Sequence, residues 1–244
     1  MVRSLLVRGM IAGIVGGLVA FVFALVFGEP ALDGGIAYED ALPAAAGHDS
    51  GEPLVGRGVQ STVGLGVALL IYGAAVGGIL ALSHACAQGR LGRLGARGTI
   101  AVVTLVGFVA AVLVPFLKYP ANPPASSIDG TIGQRTGSYV VLLVLSVVAA
   151  VAAVALARRL SASTGWWNAV LIAAGAYVVA AGVVAALLPA VAETPADFPA
   201  PVLYDFRLAS LGGHVVLWAT FALVFAALVD RTARTPAPTG TLAG

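Results

Sequence analysis

The sequence has few of the side chains that usually carry covalent or nucleotide chemistry. Its only cysteine, Cys86, cannot form an internal disulfide. Its only lysine, Lys118, follows a leucine, so the chain has no GxxxxGK phosphate-binding loop. The motifs HExxH, CxxC and GxSxG are also absent. These absences exclude a P-loop ATPase and give no support to a hydrolase, so we predict no enzymatic activity and no catalytic residues.

Charged residues are scarce as well. They make up 10% of the chain, whereas 59% of the residues are hydrophobic. A soluble domain carries about 25% charged residues, so this chain has too few to cover a surface that faces water. The charges leave six long uncharged intervals, each with room for the roughly 20 residues of a transmembrane helix. The predicted fold class is all-α, a polytopic integral membrane protein with six transmembrane helices.

The six intervals predict a single transmembrane domain over residues 1–234. The apolar run after Arg3 and Arg8 is similar to a secretory signal, but Phe27-Gly28-Glu29-Pro30 is a poor cleavage site, so we expect this helix to be retained. Residues 235–244 are predicted to form a disordered cytoplasmic tail. The helices are expected near residues 7–28, 62–84, 98–117, 137–157, 167–189 and 209–229.

The distribution of basic residues predicts the orientation. The N-terminus, the connections after the second and fourth helices and the C-terminus hold nine basic residues and one acid, Asp230. The opposite side holds ten acids and four basic residues, which are Arg57, Lys118, Arg135 and Arg207. Because cytoplasmic loops are enriched in lysine and arginine, both termini are predicted to be cytoplasmic. The longer, acidic loops are predicted to lie outside.

Small residues recur at helical spacing in the first two helices. Gly9, Gly13 and Gly17 form one small-xxx-small run, and Gly73 and Gly77 form another. Such stripes allow helices to approach closely in lipid, although glycine is common enough here to recur by composition alone. Proline and arginine recur at similar positions near the helix ends. This recurrence indicates either that the chain consists of three related helical hairpins or only that membrane helix ends usually contain these residues.

The three histidines lie in different segments of the chain and have different prospects as ligands. His214 lies about 10 Å beyond Arg207 along the sixth helix, so it either binds a ligand inside the bundle or bonds a neighbouring backbone group. His48, in an acidic stretch with Asp49, either helps to hold a cation or belongs to a solvated loop. His84 is expected to be interfacial or structural.

Polar residues at the outer helix ends form the predicted functional site, because the ten outer acids attract cations. The candidate metal ligands are His214 as the deep ligand, Glu29 as the favoured carboxylate, and His48 with Asp49. Lys118 argues against a simple cation funnel, and would instead neutralise an acid or keep the site closed without metal. The other outer-face candidates are Lys118, Tyr119, Asn122, Arg135, Asp205, Arg207 and Ser210.

Five strings in order along the chain carry a family resemblance. They are LLVRGMIAG at 5–13, RGVQSTVGL at 57–65, PFLKYPANPP at 115–124, TIGQRT at 131–136 and DFPAPVLYDFRLASLG at 197–212. Together they resemble the CbtA family of probable cobalt transporter subunits, and the third string is the most specific. The family often has a richer histidine cluster in the first outer loop, where this chain has only His48.

The resemblance implies a membrane subunit of a cobalt uptake system linked to cobalamin synthesis, in the bacterial plasma (inner) membrane. It also implies a small single-span partner that carries histidines (CbtB-like). Cobalt(II) would be the transported ion, with no cofactor bound permanently, and nickel competes because the two ions share ligands. We expect contact with the lipid bilayer and no nucleic-acid partner. The alternative is a non-transporting scaffold or accessory protein that docks a partner subunit.

Overall fold

The computed structural model describes residues 2–41, 56–92, 94–124, 126, 130–191 and 194–233. All regular secondary structure in these residues is helical, as the composition predicts. The α-helices are α1 (Val2–Phe23), α2 (Glu29–Ala41), α3 (Arg57–Val59), α4 (Leu65–Ala87), α5 (Ala96–Phe108), α6 (Val114–Lys118), α7 (Ile132–Leu187) and α8 (Ala200–Ala233).

Three π-helical turns join neighbouring α-helices into continuous helices. They are Ala24–Gly28 before α2, Gln60–Gly64 before α4 and Val109–Leu113 before α6. The first of these turns ends two residues before Pro30, and the third ends two residues before Pro115. A proline ring clashes with the carbonyl four residues earlier in an α-helix, and a widened π-turn at that point allows the helix to continue.

Within the described parts of the chain, five helices are long and apolar enough to cross a membrane. The first two extend beyond the expected spans, because residues 29–39 and 57–61, which we had placed in the first outer loop, are helical. The predicted tail at 235–244 lies outside the described residues. The five helices are Val2–Glu39, Arg57–Ala87, Ala96–Lys118, Ile132–Leu187 and Ala200–Asp230.

The longest of these helices, α7, consists of two segments. Gly165 interrupts it with φ 75° and ψ 157°, a conformation that glycine adopts without a Cβ clash. The hydroxyl oxygens of Ser146 and Tyr177 are 2.8 Å apart, whereas a straight helix would separate these residues by about 46 Å. Residues 132–164 (α7a) and 166–187 (α7b) therefore fold back on each other, near the break expected between the fourth and fifth helices.

Glycine backbones bring α1 into direct contact with α4 and α8. A Cβ atom on Gly13 would lie 1.9 Å from the carbonyl oxygen of Gly73, and one on Gly9 would lie 2.5 Å from that of Gly77. A Cβ atom on Gly16 would lie 2.8 Å from the backbone of α8. Both small-residue stripes therefore pack helices, as predicted, and larger side chains at these positions would force the helices apart.

The remaining helices surround this central group of α1, α4 and α8. In the described residues α5 packs on α8 and α4, and α7 packs on the helix formed by α5 and α6. Most of α7b is exposed, and its buried residues are alanines. Because α8 packs on α1, α2 and α5 rather than along α7b, the neighbours favour the second alternative, recurrence by the usual composition of helix ends, over three equivalent hairpins.

Candidate functional site

The bundle has two polar ends with different connections. At one end, Arg97 at the start of α5 forms an ion pair with Asp230 near the end of α8. At the other, termed the pocket end, the Tyr119 hydroxyl donates a hydrogen bond of 2.7 Å to the carbonyl oxygen of Pro189. This bond joins the end of α6 to the end of α7b, next to the start of α7a and of α8. All described candidate site residues lie towards the pocket end.

A cavity of about 290 Å³, termed the cationic pocket, opens at this end. It brings together five of the residues that sequence analysis placed at the outer helix ends. Tyr119 is 5% exposed, whereas Lys118 is partly exposed, so the pocket passes from a buried wall to a more open rim. The lining residues are Lys118, Tyr119, Pro120, Asn122, Arg135, Val191, Thr194 and Arg207.

Hydrogen bonds hold the basic side chains around this pocket. Arg207 Nη2 donates a bond of 2.8 Å to Asn122 Oδ1, and Arg135 Nη2 donates to the carbonyl oxygen of Pro120. Lys118 Nζ lies 5.9 Å from the centre of the Tyr119 ring, within the range of a cation–π contact. The irregular segment after α6 is therefore attached to α7 and α8 through the two arginines.

A second cavity of about 470 Å³, termed the histidine cavity, adjoins the first and shares Tyr119 and Arg135 with it. His214 Nδ1 lies 2.9 Å from the Ser210 carbonyl oxygen, and the His214 ring is edge-on to Tyr72 with ring centres 6.2 Å apart. If Nδ1 carries the proton and donates to this carbonyl, Nε2 keeps its lone pair. Metal-binding histidines use the same arrangement.

The described carboxylates that were predicted for this site, Glu29 and Asp205, line neither cavity. Glu29 forms an ion pair of 3.1 Å with Arg57, and Asp33 lies 3.7 Å from the same guanidinium group. Glu29 therefore meets Arg57 rather than His214, and it lines neither cavity. Asp205 is exposed on α8 and also lines neither cavity.

The described residues contain no group of three or more His, Cys, Asp or Glu side chains that could hold a metal ion. His48 and Asp49 lie outside the described residues, so their role in a loop site stays a prediction. Of the predicted metal ligands that the structure describes, His214 lines a cavity and Glu29 does not.

Two tyrosines that sequence analysis did not single out also line the histidine cavity. Tyr72 from α4 and Tyr139 from α7a face it together with His214. A tyrosine hydroxyl inside an apolar span usually needs a hydrogen-bond partner. This requirement is the feature of the sequence that could have indicated Tyr72 and Tyr139 as site residues. His84 is 2% exposed and packs edge-on against Phe225 with ring centres 5.5 Å apart, a structural rather than interfacial position.

Comparison with known proteins identifies the family to which this chain belongs. Neither a curated protein nor a solved structure matches the chain. A family model described as "probable cobalt transporter subunit (CbtA)" matches residues 2–230. This match includes the central helices, both cavities and the five strings on which the resemblance rests. The chain belongs to the CbtA family.

Proposed function

We propose that this chain is the membrane subunit of a cobalt uptake system linked to cobalamin synthesis. The observation that carries the proposal is the family match over residues 2–230, since the family is described as a probable cobalt transporter subunit. A subunit requires a partner, and we propose a small single-span membrane protein that bears histidines (CbtB-like). Such a partner could supply the metal ligands that the described residues of this chain lack as a group.

The proposed topology has six crossings of the bacterial plasma membrane with both termini in the cytoplasm. The fold-back of α7 at Gly165 supports separate crossings for α7a and α7b. Arg90, Arg97, Arg158 and Arg159 support a cytoplasmic location for the end opposite the pockets, because basic residues favour the cytoplasmic side. The pocket end would then face outside, where it could receive an ion.

His214 is the proposed ligand of this chain for the transported ion. The Ser210 carbonyl fixes one ring nitrogen, and the histidine cavity gives access to the ring. Imidazole is a suitable ligand for cobalt(II) and nickel(II) alike. Glu29, paired with Arg57, would reach the ion only if that ion pair opens. His48 and Asp49 remain possible outer ligands by their sequence alone.

Accumulation of radioactive cobalt in cells that express the chain with its partner subunit tests this proposal. We expect His214→Ala to lower accumulation about tenfold or more, because the variant removes the ligand that the cavity presents. His84→Gln should leave accumulation within about twofold, since this buried ring packs away from both cavities. Immunoblots of membrane fractions must show equal amounts of each variant. Normal accumulation with His214→Ala would contradict the site but not the family membership.

The second candidate is a non-transporting scaffold that docks the partner. Direct backbone contact among α1, α4 and α8 favours it, because this packing suits a rigid support. Expressing the partner alone separates the candidates. Full cobalt accumulation without this chain would leave it only an accessory role, whereas accumulation that requires both chains and His214 would support transport.

A further inference from the structure

The cationic pocket carries a charge that cobalt transport leaves unexplained. Lys118, Arg135 and Arg207 line one cavity of about 290 Å³. Glu29 and Asp205 are not among its lining residues. The described lining residues therefore bring three positive charges together and include no carboxylate, at the end of the bundle where a cation would be expected to bind.

Two of these cations donate hydrogen bonds to neutral groups of the described residues. Asn122 accepts a hydrogen bond from Arg207 through an amide oxygen, and the Pro120 carbonyl accepts one from Arg135. Arg135 and Arg207 line the same cavity, and repulsion between like charges is stronger in a partly buried cavity than in water. A bound anion would relieve it.

Arg207 has a further hydrogen-bond donor to offer. Its Nε is buried and has no hydrogen-bond partner among the described residues, whereas Nη2 is bound to Asn122. An unsatisfied buried donor on a charged group is costly. The Nε and Nη2 edge of a guanidinium group matches two oxygens of a carboxylate or a phosphate. Thr194 lines the same pocket and adds a hydroxyl group.

We propose that the cationic pocket binds an oxyanion through Arg207, Lys118 and Arg135. Arg207 binds two oxygens through Nε and through the Nη2 proton that Asn122 does not accept, and the other two cations supply attraction over a longer range. The oxyanion is a phosphate or carboxylate group, carried by a small soluble anion or by the headgroup of an anionic lipid. The pocket thus takes a ligand of opposite charge to the cobalt ion, and its occupation does not depend on cobalt transport.

Calorimetry on the full chain, purified in an uncharged detergent at low salt, tests the soluble source. The probes are inorganic phosphate and citrate, and wild-type protein should bind at least one of them. Arg207→Gln and Lys118→Gln should each weaken binding about tenfold, since the first removes a charge-assisted contact and the second removes a positive charge from the pocket. Arg57→Gln is the matched control, because Arg57 lies at the same end outside the pocket, and it should bind as wild type does.

Native mass spectrometry on protein from nanodiscs tests the lipid source. One set contains phosphatidylcholine alone and the other adds phosphatidylglycerol. If the oxyanion belongs to a lipid, phosphatidylglycerol remains bound to wild type and to Arg57→Gln but is lost from Arg207→Gln. Arg207→Lys, which keeps the charge and loses the two-oxygen contact, should bind at an intermediate level. This comparison separates loss of the site from loss of folding.

Two results would overturn the proposal. The first is equal binding of every probe to wild type and to Arg207→Gln, with both proteins monodisperse. The second concerns Asp129 and Glu193, which lie outside the described residues. If an anion binds only after Asp129→Asn or Glu193→Gln, a carboxylate of the chain itself fills the pocket. Neither result depends on cobalt accumulation, so this proposal can fail while the proposed transport stands.

Discussion

At the scale of single residues, polar side chains fix an irregular segment to the helices around it. Tyr119 donates to Pro189, while Asn122 accepts from Arg207. Gly35 of α2 packs against Pro123, where a Cβ atom would lie 2.9 Å from the proline side chain. The string PFLKYPANPP therefore supplies contacts to α2, α7 and α8 rather than a solvated loop.

Removing the Tyr119 hydroxyl should weaken this attachment. We expect Tyr119→Phe to lower the free energy of unfolding by about 1 kcal/mol, because the buried Tyr119 ring loses its hydrogen bond to the Pro189 carbonyl. Tyr204→Phe is the matched control, since Tyr204 is 65% exposed. Unfolding in mixed micelles with increasing dodecyl sulfate measures both variants. Equal stability of the two would show that the bond contributes nothing.

The sequence predicted that several polar residues would gather at one end of the bundle but not how the charged residues pair. Polar groups at the ends of apolar spans must lie near the membrane surface, so Lys118, Asn122 and Arg207 could be placed together. Glu29 was assigned to His214, yet it pairs with Arg57. That pairing depends on the register between α1 and α4, which backbone contacts between glycines determine and charge alone does not.

At the scale of helices, hydropathy predicted the interiors well and the ends poorly. The bilayer requires about 20 apolar residues in each span, and this requirement places the centres. Hydropathy does not indicate where a helix ends once it has left the bilayer. The extension of the first helix through α2 to Ala41 was therefore not predicted. Pro30 was expected inside the first outer loop, but the preceding π-turn accommodates its ring within the helix.

The contact between α1 and α4 should depend on the absence of side chains at its centre. We expect Gly13→Val to destabilise the fold by about 3 kcal/mol, because the added carbons meet the Gly73 backbone, which cannot move aside as a side chain could. Gly175→Val is the control, since a Cβ atom there meets nothing within 4 Å, and its change should stay within about 0.5 kcal/mol. The micelle assay measures both, and equal effects would contradict the close packing.

At the scale of the whole molecule, the lateral arrangement could not be read from the sequence. Span intervals give the number and direction of helices, whereas neighbours depend on side-chain shape across helix surfaces. The first hairpin packs through glycines, and Leu217, Phe221 and Phe225 of α8 complete the core with α1. In α7b, Gly175 and Gly182 face open space. The pair formed by α7b and α8 therefore lacks the close backbone contact that joins α1 to α4.

Thiol labelling can test the six-crossing topology, because Cys86 is the only cysteine and is exposed near the end of α4. In intact cells a membrane-impermeant maleimide should leave Cys86 unmodified until the membrane is permeabilised. With Cys86→Ala as background, Ser161→Cys should behave in the same way and Ala196→Cys should react in intact cells. Ser161 and Ala196 are exposed on either side of α7b, so they report whether that segment crosses alone. Labelling of both from the same side would mean that α7b does not cross the bilayer, and the fold-back at Gly165 would then be a hairpin outside it.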